Sequence, residues 1–198
     1  MNIKNIVIIL LLSIFALVFS FWYFNQNQTN MKNKTSISGI SYVPIGDSYT
    51  IGYGVSEVDR WPNVLVNNLK KEGINISLVA NPSASGFMVR DATYFELPEV
   101  EKIKPDFVTV LIGANDSFSQ KETETYQKDL IELLDKLEKI VPNPKNIILI
   151  TIPDYSISPQ AFGFPKEELS KLIQDYNEVI KEEANKRGLK VADIFPIS

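Results

Sequence analysis

Short apolar runs alternate with sequence of helical period along this chain, and that alternation leaves it few folds to choose from. The runs are Tyr42 to Ile45, Ile74 to Ala80, Phe107 to Ile112 and Asn146 to Ile152, with Lys190 to Phe195 read as a last strand. Asn146 to Ile152 is continuously apolar, as strands buried on both faces of a parallel sheet are. Between the runs, Tyr126, Leu130, Leu133, Leu134, Leu137, Ile140 and Val141 form one helical stripe, with Ser119 and Glu122 as a candidate capping box. Leu169, Leu172, Ile173, Tyr176, Val179, Ile180 and Ala184 form another, opened by Pro165 and closed by Gly188. Trp61, Val64, Leu65 and Leu69 suggest a third helix, with Pro62 in its first turn and Gly73 as its stop. Val89 to Ile103 is interrupted by Pro98 and fits no single period. The expected fold is an α/β, three-layer α/β/α sandwich whose parallel sheet of about five strands is covered on both faces.

In such a sheet ligands gather at the carboxyl ends of the strands, where helix N-termini present free N–H groups. Three strand ends here carry chemistry. Gly46-Asp47-Ser48-Tyr49 closes the first run, Asn81-Pro82-Ser83-Ala84-Ser85-Gly86 the second, and Gly113-Ala114-Asn115-Asp116 the third. A serine, a glycine and an asparagine are what acyl transfer needs: an oxygen nucleophile and N–H donors preset where an oxyanion forms. Each has a plainer reading. Ser48 suits a turn, Gly86 relieves a tight turn, and Asn115 is a common strand-end residue. Ser48 is not in Gly-x-Ser-x-Gly, so the nucleophile elbow of α/β-hydrolases is excluded.

Together the three segments resemble the GDSL, or SGNH, hydrolase family of lipases, esterases and lysophospholipase-like enzymes, over roughly Tyr42 to Ser198. The resemblance implies a flavodoxin-like sheet order, Ser48 as nucleophile, and an oxyanion hole of the Ser48 and Gly86 N–H groups with the Asn115 amide. It implies an ester or lipid substrate and no cofactor. The family's last block, an aspartate three residues before a histidine, is missing, and no histidine occurs among the 198 residues. A neutral serine hydroxyl needs an adjacent base at pH 7, and no Ser-x-x-Lys follows Ser48 to supply one. The chain as given is therefore expected to be inactive, and to be a truncated form of its domain rather than a complete histidine-free protein. Asp193 has no histidine to serve. Asp47 is expected to order its loop or cap the following helix, and Asp116 to be a turn or capping residue. Tyr49, Tyr53, Phe87 and Met88 are candidates to line an acyl pocket, although aromatics near strand ends are more often core.

Ahead of the domain, Ile6 to Phe24 is nineteen residues without a charge, behind Lys4 and ending in Trp22 and Tyr23. At about 1.5 Å per residue it spans roughly 28 Å, near the thickness of a bilayer's hydrocarbon core. The expected organisation is a membrane anchor or signal peptide over 1–24, a polar tether over 25–39 and the hydrolase domain over 40–198. The domain would then lie outside the cell membrane, or be secreted if the segment is cleaved. The bulky Phe21-Trp22-Tyr23-Phe24 favours an uncleaved anchor. There are no cysteines, so no disulfides, and 24 acidic residues against 20 basic offer nothing to nucleic acid.

Two other functional classes fit parts of the pattern. Asp47, Asp116 and Asp154 all follow strands and would suit Mg²⁺ in phosphoryl transfer. No phosphate-binding glycine motif accompanies them. A non-catalytic exported binding domain on the same fold fits the absent histidine.

Overall fold

The computed structural model describes residues 39–198; the expected anchor, and the expected tether except for Gly39, lie outside them. Among the described residues no helix is long and apolar enough to cross a membrane. Five parallel strands form one sheet: β1 (Ile40–Gly46), β2 (Ile76–Leu78), β3 (Phe107–Leu111), β4 (Ile147–Ile150) and β5 (Lys190–Ala192). Their order is β2-β1-β3-β4-β5, the doubly wound arrangement expected, with β1 and β3 in the middle.

Pairing register explains two residues that would otherwise be misplaced. β2 pairs only with Ile40 to Tyr42, and Val79 N–H still reaches the Tyr42 carbonyl at 2.9 Å before the chain turns away. Even-numbered residues of β1 point their backbone groups to that side. Pro44 therefore sits in a central strand without costing a ladder bond, because it lies past the end of β2. Gly46 is the next residue on the same side. A Cβ there would run into Thr50 Oγ1 and the Leu111 carbonyl oxygen.

Most of the core lies on one face. Val43, Ile45, Val108, Val110, Ile147 and Leu149 meet Leu130, Leu133, Leu134 and Leu137 of one helix (Thr123–Ile140) and Ile173, Tyr176 and Ile180 of another (Lys166–Arg187). Both stripes are those expected, and Gly188 closes the second helix in the left-handed conformation. On the other face, helix Trp61–Lys71 packs Val66, Leu65 and Leu69 on Tyr42, Ile76 and Phe107. It buries Pro62 and Val66, while Val64, expected in its stripe, is exposed. Towards β4 and β5 this face is less covered than expected: Ile148 is half-buried, and Lys190 and Ala192 are exposed.

Three other boundaries differ from expectation. The capping box fails, because the helix begins at Thr123 and the Ser119 hydroxyl donates back to the Asn115 carbonyl at 2.9 Å. β5 stops at Ala192, and Phe195–Ile197 is a 3₁₀ turn. The ambiguous segment is helical throughout 89–103, with a π turn at Ala92–Glu96 and Pro98 tolerated in the first turn of Leu97–Ile103.

Candidate active site

Ser48 opens a four-residue helix, Ser48–Ile51, at the carboxyl end of β1. Asp47 caps it as expected: its carboxylate accepts the Tyr49 N–H at 2.9 Å. The following loop is stitched down by Asn81, whose amide donates to the Thr50 carbonyl at 3.1 Å and accepts the Ser83 N–H at 3.3 Å. The turn bearing the serine and the loop after β2 are thus joined by side chains, not strand pairing.

Asn115 lies in the short helix Ala114–Phe118 at the end of β3. Its side-chain N–H donates to the Phe87 carbonyl at 2.9 Å, next to Gly86, which holds φ +86°. An amide has two N–H groups, so one remains to serve a ligand. Asp116 makes a second tie to the same segment, accepting the Val89 N–H at 3.1 Å. Asp116 is fully buried and paired with Lys121, which also reaches Asp129 at 3.0 Å. Burial pushes the Asp116 carboxyl up, against the opposing pull of Lys121 and the Val89 N–H. Burial lowers Lys121, but the hydrogen bonds to its two carboxylates outweigh that and hold it above its ordinary value. Asp116 is thus a buried clamp, more than the turn residue its sequence suggests.

Ser48 and Asn115 face one cavity of about 450 Å³, shared with Tyr49, Tyr53, Phe118 and Tyr155. Gly86 is not among its lining residues but adjoins Phe87, whose carbonyl the Asn115 amide holds. Phe87, expected in the pocket, instead packs against the core and stacks on Phe95 at 5.7 Å. The sequence missed Tyr155, which lies in the loop after β4. Its ring stacks on Phe118, and its hydroxyl donates to the Ala114 carbonyl at 2.9 Å and meets Ser117 Oγ at 2.7 Å. The only signal for it was an aromatic residue at a strand end.

No hydrogen bond reaches the Ser48 hydroxyl among the described residues, and the carboxylates that follow β4 and β5 are engaged elsewhere. Asp154 accepts from Ser156 N–H at 3.0 Å and Ser170 Oγ at 2.8 Å. Asp193 accepts from Thr151 Oγ1 at 2.9 Å and pairs with Lys181 at 3.0 Å. Burial raises both carboxyls, but these donors outweigh it and hold them below their ordinary range, so both are poor bases. Asp47, Asp116 and Asp154 do not come together: among the described residues no group of three or more His, Cys, Asp or Glu is placed to hold a metal ion. The expectation of a shared Mg²⁺ site at these three carboxylates is overturned.

A serine at a helix start and an asparagine amide thus face one cavity at the carboxyl edge of the parallel sheet. The chain belongs to the GDSL-like Lipase/Acylhydrolase family, whose profile matches residues 45–198. Among solved structures it is similar to TesA, at 19% identity and TM-score 0.62 over 76% of each chain. It is similar to the psychrotrophic esterase EstA from Pseudoalteromonas sp., at 19% identity and TM-score 0.60 over 77% of this chain and 76% of that one. It is also similar to a variant of Axe2, an acetyl-xylooligosaccharide esterase from Geobacillus, at 24% identity and TM-score 0.64 over 80% and 77%. These likenesses show the fold. No curated protein matches the sequence significantly.

Proposed function

We propose that the domain is a serine ester hydrolase. Ser48 Oγ attacks the carbonyl carbon of an ester, and the oxyanion is received by the Ser48 and Gly86 backbone N–H groups and the free N–H of the Asn115 side chain. The observation that carries this reading is the shared cavity: Ser48 and Asn115 face it together, and the Asn115 amide is oriented by the residue beside Gly86. The aromatic lining of Tyr49, Tyr53, Phe118 and Tyr155 suits an apolar acyl or aryl group. As the nucleophile bonds to carbon, its proton must leave, and the alcohol later departs with one. With no imidazole in the 198 residues, acylation by the chain alone is slow, because water or a solute base must take that proton.

The test is turnover of a short-chain chromogenic ester by the full chain across an imidazole series, beside Ser48→Ala. An imidazole-dependent rate that vanishes in Ser48→Ala is the expected result. Equal rates in the two proteins contradict it.

The absent histidine also favours a second reading, a binding domain that holds an ester without turning it over. Saturable ester binding with no Ser48-dependent hydrolysis at any imidazole concentration would favour that reading.

A further inference from the structure

Past the end of β2, β1 has lost its neighbour, yet Gly46 still presents an N–H to that side. The group that takes it is a side chain: Glu96 Oε2 accepts the Gly46 N–H at 3.0 Å and the Ser83 hydroxyl at 3.4 Å. Glu96 is fully buried, and its other oxygen, Oε1, has no partner. It reaches this position from the last residue of the π turn Ala92–Glu96, where the extra residue rotates the helix relative to a regular α turn. Nothing in a packed core needs a buried carboxyl here, and an unmatched one is costly. Its two partners lead into the two segments that build the site, one from the end of β1 and one in the loop after β2. Gly46 is two residues before Ser48, and Ser83 is three before Gly86.

We propose that Glu96 is a positioning residue for the ester-hydrolysing site, one carboxyl oxygen standing in for the missing strand and fixing the Ser48 turn against the Gly86 loop. This role in catalysis rests on the reading of Ser48 as nucleophile; the clamp itself does not. The same device recurs at the end of β4. There the Asn177 amide accepts the Ile152 N–H at 2.8 Å and donates to the Ile152 carbonyl at 2.9 Å, replacing a strand with a side chain. Glu96 works in its neutral form: burial, and to a smaller degree the nearby Asp47 carboxylate, push it up to about 8 against the donors Gly46 and Ser83. Oε2 is the oxygen that accepts from both donors. A glutamine reproduces that shape and charge, whereas an alanine removes the acceptor.

The experiment compares the full chain with Glu96→Gln and Glu96→Ala by hydrogen exchange read on peptides, and by the imidazole-supported ester assay. Losing a buried acceptor worth roughly 1–3 kcal/mol should speed exchange about tenfold or more in Glu96→Ala for peptides covering 43–50 and 79–88. Peptides from β3 and β4 should keep their protection, and Glu96→Gln should restore both loops. Turnover at saturation should fall in Glu96→Ala with the half-saturating ester concentration unchanged, and recover in Glu96→Gln. Wild-type exchange at both loops in Glu96→Ala overturns the proposal. So does a loss spread over the whole sheet in both variants, which marks ordinary packing. If no protein hydrolyses ester, the hydrolase reading fails, and the exchange pattern still decides whether Glu96 clamps the loops.

Discussion

The side-chain amide of Asn115 and the carbonyl of Phe87 are joined across 2.9 Å, so the third strand end and the glycine-bearing loop after the second are tied by a side chain. If Asn115 acts as proposed, Asn115→Ala removes an oxyanion donor together with this tie. One such donor is worth about 10²–10³ in turnover in comparable sites. Imidazole-supported ester turnover is expected to fall by at least that range, while Asn115→Ala keeps a cooperative melt. Turnover within twofold of wild type would remove Asn115 from the hole.

Lys121 stands between Asp116 and Asp129, and the Asp116 carboxylate is fully buried. Replacing Lys121 with Met leaves that carboxylate without its cation. Removing one partner of a buried pair typically costs about 3–5 kcal/mol. Urea unfolding should show a loss of that order at pH 7. The loss should shrink as pH falls and Asp116 takes up a proton.

Burial pushes Asp47 up to about 7 and Glu96 up to about 8. The Tyr49 N–H opposes the first shift and the Gly46 N–H the second, while Asp116 adds repulsion at Asp47. Both folded values lie above the ordinary 3.8 and 4.5 of these carboxyls. The folded protein therefore binds more protons than the unfolded chain across that interval, and stability falls as pH rises. The contribution is fully present below about pH 4 and lost as pH climbs through the folded values near 7 and 8. The melting temperature is expected to decline from pH 5 to 9 in wild type and to decline less in Glu96→Gln. A flat wild-type profile would contradict the burial assigned to these groups.

Gly46 has no room for a methyl group, because the Leu111 carbonyl opposite it belongs to a paired strand and cannot turn aside. Gly46→Ala should destabilise by about 1–3 kcal/mol, the usual cost of overpacking, and should displace Ser48 as well. Chemical unfolding and the ester assay read the two effects separately.

The periodic parts of this fold were legible because burial on one face writes itself into sequence. Leu130, Leu133, Leu134 and Leu137, and the run Ile147 to Ile150, all fell where expected. Helix Trp61–Lys71 was harder. It lies over the narrow end of the sheet, so its half-buried stripe is weak and Val64 turns outward. The π turn at Ala92–Glu96 breaks the helical period, so nothing in the sequence marked Glu96 as buried. Lys121 and Asp116 are five residues apart across a helix end, a spacing no helical pattern announces. The placement of Ser48 and Asn115 at strand ends, where they share a cavity, was legible in the sequence. Tyr155 and Glu96 were not, because each arrives through tertiary packing.

The central claim is that Ser48 is the atom that bonds to substrate. The most direct measurement incubates the full chain with an aryl phosphonate ester in the presence of imidazole, then maps the adduct by peptide mass. The phosphonate bonds to serine oxygen as the phenolate leaves, and the product does not hydrolyse as an acyl ester would. A single phosphonate on the peptide carrying Ser48, absent in Ser48→Ala, is the predicted result. No adduct after prolonged exposure, or one that persists in Ser48→Ala, would contradict the account.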